Sequence, residues 1–177
     1  MKIIMGYRRR RPKNVFTWWG NKCVVYTDGS CINNGRYNAS AGIGVYWGEN
    51  NRFNVGERYH GKQTSQAAEL GAAIRALEIA NERNFNGVIL FTDSNYVYKS
   101  MTSWIYKWQI NGWKDVNGRP LSNEELFQEL YDLVQITNAD IRKVSAHSNI
   151  EGNEEADALA RFGAEQSDDD DDDDYYY

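Results

Sequence analysis

Residues 88–94, Val88-Ile89-Leu90-Phe91-Thr92-Asp93-Ser94 (VILFTDS), decide how the rest of this 177-residue chain is read. Four apolar residues in succession, with no alternation, mark a strand buried on both faces, as in a parallel sheet covered by helices. Upstream the pattern differs. Cys23 to Thr27 (CVVYT), Ala41 to Trp47 (AGIGVYW) and Phe53 to Tyr59 are short strand candidates, the last two separated by the Gly48–Arg52 turn. They read as an antiparallel meander. Between the meander and VILFT, Leu70, Ile74 and Leu77 recur at helical spacing among alanines, and Thr64 stands where an N-cap belongs.

Downstream, Tyr98 to Arg119 is rich in Trp and Lys. Ser122-x-x-Glu125 predicts a capping box before a helix carrying Leu126, Leu130, Leu133 and Val134. Ile141 to Val144 is a last short strand, and Asn153 is expected to cap a helix that turns Ala156, Leu159 and Ala160 inward. The order is therefore βββαβ, a helical insert, α, β, α. An antiparallel start followed by helix-linked strands gives an α/β protein with one mixed sheet and helices on its faces.

The length suits one domain with a sizeable core. The expected division is a basic, poorly structured segment over residues 1–20, a single domain over 21–166, and a disordered acidic and tyrosine-rich tail over 167–177. No run approaches the 18 or so apolar residues of a membrane span, and no secretory signal pattern opens the chain. Cys23 and Cys31 lack zinc-motif spacing, and two thiols suit a reducing, intracellular setting, nucleus or cytoplasm. A monomer is expected, because no spare apolar helix face is evident.

The net charge of −5 misleads, because Asp168 to Asp174 hold seven aspartates; without them 18 acids face 20 bases. Residues 1–27 carry seven Lys or Arg and no acid, five of them in Arg8–Lys13. Such segments bind nucleic acid or direct nuclear localisation. The acidic tail serves solubility, an interaction, or shielding of the basic surface.

Four acids occupy suggestive places. Asp28 and Asp93 end strand candidates, where ligands gather in open α/β sheets. Glu69 lies in the first turns of the long helix and Asp157 in the last helix. If the first and fourth strands are neighbours, Asp28 and Asp93 lie side by side and repel unless a cation comes between them. Oxygen-only ligands suit a hard ion, Mg²⁺ or Mn²⁺. Each acid also has a plainer reading: Asp28-Gly29 as a hairpin turn, Asp93-Ser94 as a helix cap, and Glu69 and Asp157 as solvated helix residues.

Taken jointly, Tyr26-Thr27-Asp28-Gly29-Ser30, Gln66-Ala67-Ala68-Glu69-Leu70, Phe91-Thr92-Asp93-Ser94, and Ala146-His147-Ser148 through Gly152-Asn153-Glu154-Glu155-Ala156-Asp157-Ala158-Leu159-Ala160 resemble the type 1 ribonuclease H catalytic domain. The likeness runs from about Lys22 to Gln166, with the motifs in family order. It implies the ribonuclease H-like fold: a five-stranded sheet of order 3-2-1-4-5 with strand two antiparallel. It implies an endonuclease that cuts the RNA strand of RNA–DNA hybrids, leaving 5′-phosphate and 3′-hydroxyl ends. Asp28, Glu69, Asp93 and Asp157 would hold two Mg²⁺ ions, with Mn²⁺ able to substitute. Such a pair activates a water and stabilises the leaving oxygen. His147 would assist proton transfer or product release; the plainer reading is a loop histidine making structural hydrogen bonds.

The resemblance extends to substrate contacts. Trp104 through Lys114 resembles the family's basic protrusion, whose aromatic faces and lysines suit a sugar–phosphate track. Trp104 and Trp113 are expected to pack largely inward, leaving Trp108 to meet the DNA strand. Lys62, Thr64 and Asn123 would form a pocket for a DNA phosphate, although the family often has Arg at Lys62. Cys31, Asn34, Ser65 and Gln66 fall where family members touch the RNA strand or paired bases. Ser65, Asn95 and Val116 depart from the usual residues.

Overall fold

The computed structural model describes residues 15–146 and 148–166; Arg8–Lys13, His147 and Asp168–Asp174 lie outside the described residues. A two-residue strand, β1 (Trp18–Trp19), leads into β2 (Lys22–Ile32), β3 (Ser40–Tyr46) and β4 (Val55–Arg58). Helix α1 (Ser65–Glu82) follows, then β5 (Val88–Thr92) and α2 (Asn95–Lys99). A π-helical turn (Ser100–Trp104), α3 (Ile105–Asn111), α4 (Glu124–Ile136), β6 (Ala139–Lys143) and α5 (Glu151–Glu165) complete the order.

The sheet runs β4-β3-β2-β5-β6, with β1 paired antiparallel to the start of β2. Counted from β2, this is the expected 3-2-1-4-5 path. Strand β3 is antiparallel to both its neighbours, while β2–β5 and β5–β6 are parallel. The ribbon at Trp18–Trp19 adds a sixth strand; Trp18 and Trp19 set their rings edge-on against Phe85 and Phe91.

Every residue of β5 is buried, as its unbroken apolar run requires. The larger core packs α1, α4 and the insert against one face of the sheet, through Leu70, Leu77, Leu90, Ile105, Phe127 and Leu130 among others. A smaller cluster of Val24, Ile89 and Phe91 lies apart from it, with Tyr26 stacked on Phe91.

Local details correct several expectations. Strand β2 does not stop at Thr27 but continues to Ile32, because β3 pairs with it as far as Ile32↔Ser40. The hairpin-turn reading of Asp28-Gly29 therefore fails: Asp28 is in mid-strand, one residue past the end of the β2–β5 pairing. Thr64 does cap α1, accepting from the Ala67 amide at 3.3 Å. The capping box at Ser122 does not form. The N-cap of α4 is Asn123, with φ of 67° and no side-chain cap bond, and the Ser122 hydroxyl instead accepts from Lys62. Helix α5 begins at Glu151 after Ile150, so Asn153 lies inside the helix and its amide is free for another task.

Candidate active site

The sheet register builds the site. Thr27 pairs with Thr92, so the residues that follow, Asp28 and Asp93, emerge together where the two strands diverge. Across the other edge of β2, Asp28 pairs with Gly44. A Cβ on Gly44 would stand 2.0 Å from the Ala156 carbonyl oxygen, so α5 crosses β3 there in backbone contact and presents Asp157 beside Asp28. On the opposite face, a Cβ on Gly29 would stand 2.2 Å from the Glu69 amide nitrogen. Two missing side chains thus let α1 and α5 close on the sheet at the same point, bringing Glu69 and Asp157 to the strand-end carboxylates.

Each carboxylate has an identifiable partner. Asp28 Oδ1 accepts from the Gly29 amide at 2.8 Å. Glu69 Oε2 accepts from the Ser94 hydroxyl at 2.5 Å, while the Ser94 oxygen accepts from the Val97 amide and so caps α2. Asp93 Oδ2 accepts from Asn153 Nδ2 at 3.1 Å. Asp157 Oδ2 is bound by the Arg161 guanidinium one turn along α5. The reading of Asp93-Ser94 as a helix cap is thus right for Ser94, which serves both roles. The sequence did not single out Ser94 as a site residue, nor Asn153 or Arg161; the only available signal was their spacing from Asp93 and Asp157.

Electrostatics mark the four as one group. Burial pushes the Asp28 carboxyl up to about 8, and the charges of Asp93, Asp157 and Glu69 push the same way. Glu69 is also raised, chiefly by burial and then by Asp93, against the lowering bond from Ser94. As oriented, no three Asp, Glu, His or Cys side chains among the described residues form a ready ligand cluster for a cation. The Ser94, Asn153 and Arg161 bonds hold three of the carboxylates toward protein donors, so a shared ion requires side-chain rotation. The donor set fits a divalent ion all the same. It is oxygen-only, its burial and then its mutual repulsion raise Asp28, and it leaves Asn153 Oδ1 buried without a partner beside Asp93. His147 lies outside the described residues.

The expected substrate contacts divide. Asn34 and Ser65 are joined, with Asn34 Nδ2 donating to Ser65 Oγ at 3.2 Å and Ser65 N donating to Asn34 Oδ1 at 3.3 Å. Cys31 approaches the Gln63 carbonyl on the same side, and Gln66 is exposed. Lys62 and Asn123 line a cavity of about 690 Å³ together with Tyr59, Leu121, Glu124 and Glu125. Asn123 Nδ2 there donates to the Tyr96 hydroxyl. Thr64, whose hydroxyl caps α1, is not among the lining residues.

The tryptophan assignment is reversed. Trp108 is 9% exposed, its ring 4.6 Å from that of Phe127, whereas Trp104 is 38% exposed. The cause is the π-helical turn at Ser100–Trp104, whose extra residue rotates α3 and carries Trp108 into the core. Trp104, Lys107, Lys114 and Val116 line a groove of about 490 Å³, to which the largely buried Trp108 also contributes.

A family model described as RNase H matches residues 20–165. The chain belongs to the ribonuclease H family. A ribonuclease H of Ehrlichia ruminantium is 40% identical over 145 residues, covering 80% of this chain and 93% of that protein. Ribonuclease H1 of Rattus norvegicus is 45% identical over 156 residues, covering 88% of this chain but 55% of the relative. The chain thus spans about half the length of the ribonuclease H1 proteins it matches. Among solved structures, a foamy viral protease-reverse transcriptase in complex with RNA/DNA hybrid aligns with a TM-score of 0.65 and 26% identity, covering 80% of this chain and 20% of that one. Among the described residues no helix is long and apolar enough to cross a membrane.

Proposed function

We propose that this ribonuclease H-family chain is an endonuclease that hydrolyses the RNA strand of RNA–DNA hybrids, leaving 5′-phosphate and 3′-hydroxyl ends. The observation that carries the reading is the meeting of Asp28, Glu69, Asp93 and Asp157 at one strand end, with Asp28 raised first by burial and then by the charges of the other three. The family match supports it, as does the likeness to a hybrid-bound reverse transcriptase.

Asp28, Glu69, Asp93 and Asp157 would hold a pair of Mg²⁺ ions, for which Mn²⁺ can substitute; when bound, the pair activates water and stabilises the leaving oxygen. The chain's residues supply the rest. Ser94 and Asn153 orient Glu69 and Asp93 through the bonds described. Arg161 neutralises Asp157. His147 shuttles a proton or helps product leave. Asn34, Ser65, Gln66 and Cys31 face the RNA strand, where 2′-hydroxyls distinguish it from DNA. The Lys62–Asn123 cavity takes a DNA phosphate, and the Trp104 groove takes the DNA sugar–phosphate track. The catalytic unit is residues 21–166.

The test is labelled hybrid, duplex DNA and duplex RNA, each with Mg²⁺ or EDTA. Loss of RNA from the hybrid alone, blocked by EDTA, is expected, with Asp93→Asn removing cleavage and leaving hybrid binding. Cutting of duplex DNA would point instead to another nuclease on this fold, and binding without cutting to an idle hybrid-binding module.

A further inference from the structure

On the α5 face of the sheet, away from the nucleic-acid cavities, lies a hollow of about 310 Å³. Its aromatic lining is Trp19, Tyr26, Tyr46 and Trp47; among the described residues Glu49 and Glu151 are its charged lining, and no described Lys or Arg lines it. The site is more acidic than the lining alone suggests, because Tyr46 feels the charges of Glu151, Glu155 and Glu49. Aromatic faces beside carboxylates suit a guanidinium, which stacks on rings and is less strongly hydrated than an ammonium. Trp47 meets the hollow only from the strand edge, since its ring packs on Phe16 and Phe85 in the core on the other face of the sheet.

The chain itself brings a matching segment to this place. The Val15 carbonyl accepts from Asn51 Nδ2 at 2.8 Å, and a Cβ on Gly48 would lie 3.7 Å from the same oxygen. The backbone therefore arrives beside the 48–51 turn that carries Glu49. Thr17 lines the hollow, and Lys13 precedes it by four residues, a reach of at most about 14 Å. Within the seven residues before Val15 stand Arg8, Arg9, Arg10, Arg11 and Lys13.

We propose that the basic cluster Arg8–Lys13 docks in this hollow as an intramolecular ligand. Its guanidinium groups lie between the Trp19, Tyr26 and Tyr46 rings and the Glu49 and Glu151 carboxylates. Docked in this way, the five cations are withdrawn from phosphate contact, and nucleic acid competes with the hollow for them. The inference goes beyond the proposed nuclease activity and holds or fails without it.

Limited trypsin digestion of the full chain, followed by mass spectrometry at the Arg8–Lys13 bonds, tests it. Docked bonds are cut only from the open form, so the rate follows its population. At about 0.01 M ionic strength, Glu49→Gln/Glu151→Gln is expected to be cut roughly fivefold faster than the parent, or more, given two exposed pairs lost. Both glutamates are exposed, so the variant keeps its fold. A control of equal charge change, Glu82→Gln/Glu165→Gln, is expected to match the parent. Raising the ionic strength to about 1 M, where screening acts within about 3 Å, is expected to bring the parent to the variant's rate. Equal rates in parent and Glu49→Gln/Glu151→Gln at low ionic strength would overturn the proposal. So would equal acceleration by the control pair, or a parent rate, relative to the variant, that salt does not change.

Discussion

Replacing Gly44 with Ala adds one methyl group at the point where α5 rests on the sheet. The new Cβ would lie 2.0 Å from the Ala156 carbonyl oxygen and 2.7 Å from the Ala160 nitrogen. Both are backbone atoms of one helix, so no side chain can swing aside. Ordinary contact begins near 3.4 Å, so α5 must withdraw by about 1.4 Å or β3 must buckle. Overpacking that side chains can absorb costs about 1–3 kcal/mol; a rigid helix puts Gly44→Ala at the upper end. For a domain of this size, about 3 kcal/mol lowers Tm by roughly 6–12 °C. The same shift moves Asp157, the next residue after Ala156, away from Asp28. A misplacement of about 1 Å can cost about 100-fold in rate. Thermal melting followed by circular dichroism, and Mg²⁺-dependent cleavage of a labelled hybrid, measure the two effects separately. A Tm within about 2 °C of the parent, with cleavage within about twofold, would refute the claim that this glycine sets the helix–sheet distance.

Other outcomes follow from the same site. The Asp28 carboxyl, ordinarily near 3.8, is pushed up to about 8 in the folded chain, so between those values the folded state binds more protons than the unfolded. Stability in EDTA therefore falls as pH rises from about 4 to about 8 and levels off above. Asp28→Asn removes that slope and raises Tm at pH 8 while cleavage is lost; an unchanged slope in chemical denaturation would rule this out. Ser94→Ala removes the α2 cap and the Glu69 donor together. It is expected to cost about 1 kcal/mol of stability and to lower cleavage further than that loss explains, which parallel melting and kinetics can resolve. Trp108→Ala is expected to cost about 3–5 kcal/mol, whereas Trp104→Ala leaves stability nearly intact and weakens hybrid binding in fluorescence anisotropy. Comparable Tm losses in both would contradict their burial.

The sequence by itself determined the sheet and the identities of the acids. VILFT reads as a buried parallel strand because it offers no polar face, and the alanine-rich stretch after Thr64 reads as a helix because its apolar residues recur at helical spacing. These are local periodicities, and a chain displays them without knowledge of its partners. Tertiary structure decided what depends on contact between distant segments. Strand β2 runs past Asp28 because β3 pairs with it there. Ser122 and Asn153 have the composition of caps but are claimed by Lys62 and Asp93, because a side-chain donor or acceptor binds whichever partner the packing brings nearest. Trp108 is core and Trp104 is surface because a π-turn adds a residue to the helical repeat, which residue spacing alone does not reveal. Nothing in Gly29 or Gly44 announces a function; each matters because a helix from elsewhere in the chain occupies the space where its side chain would be.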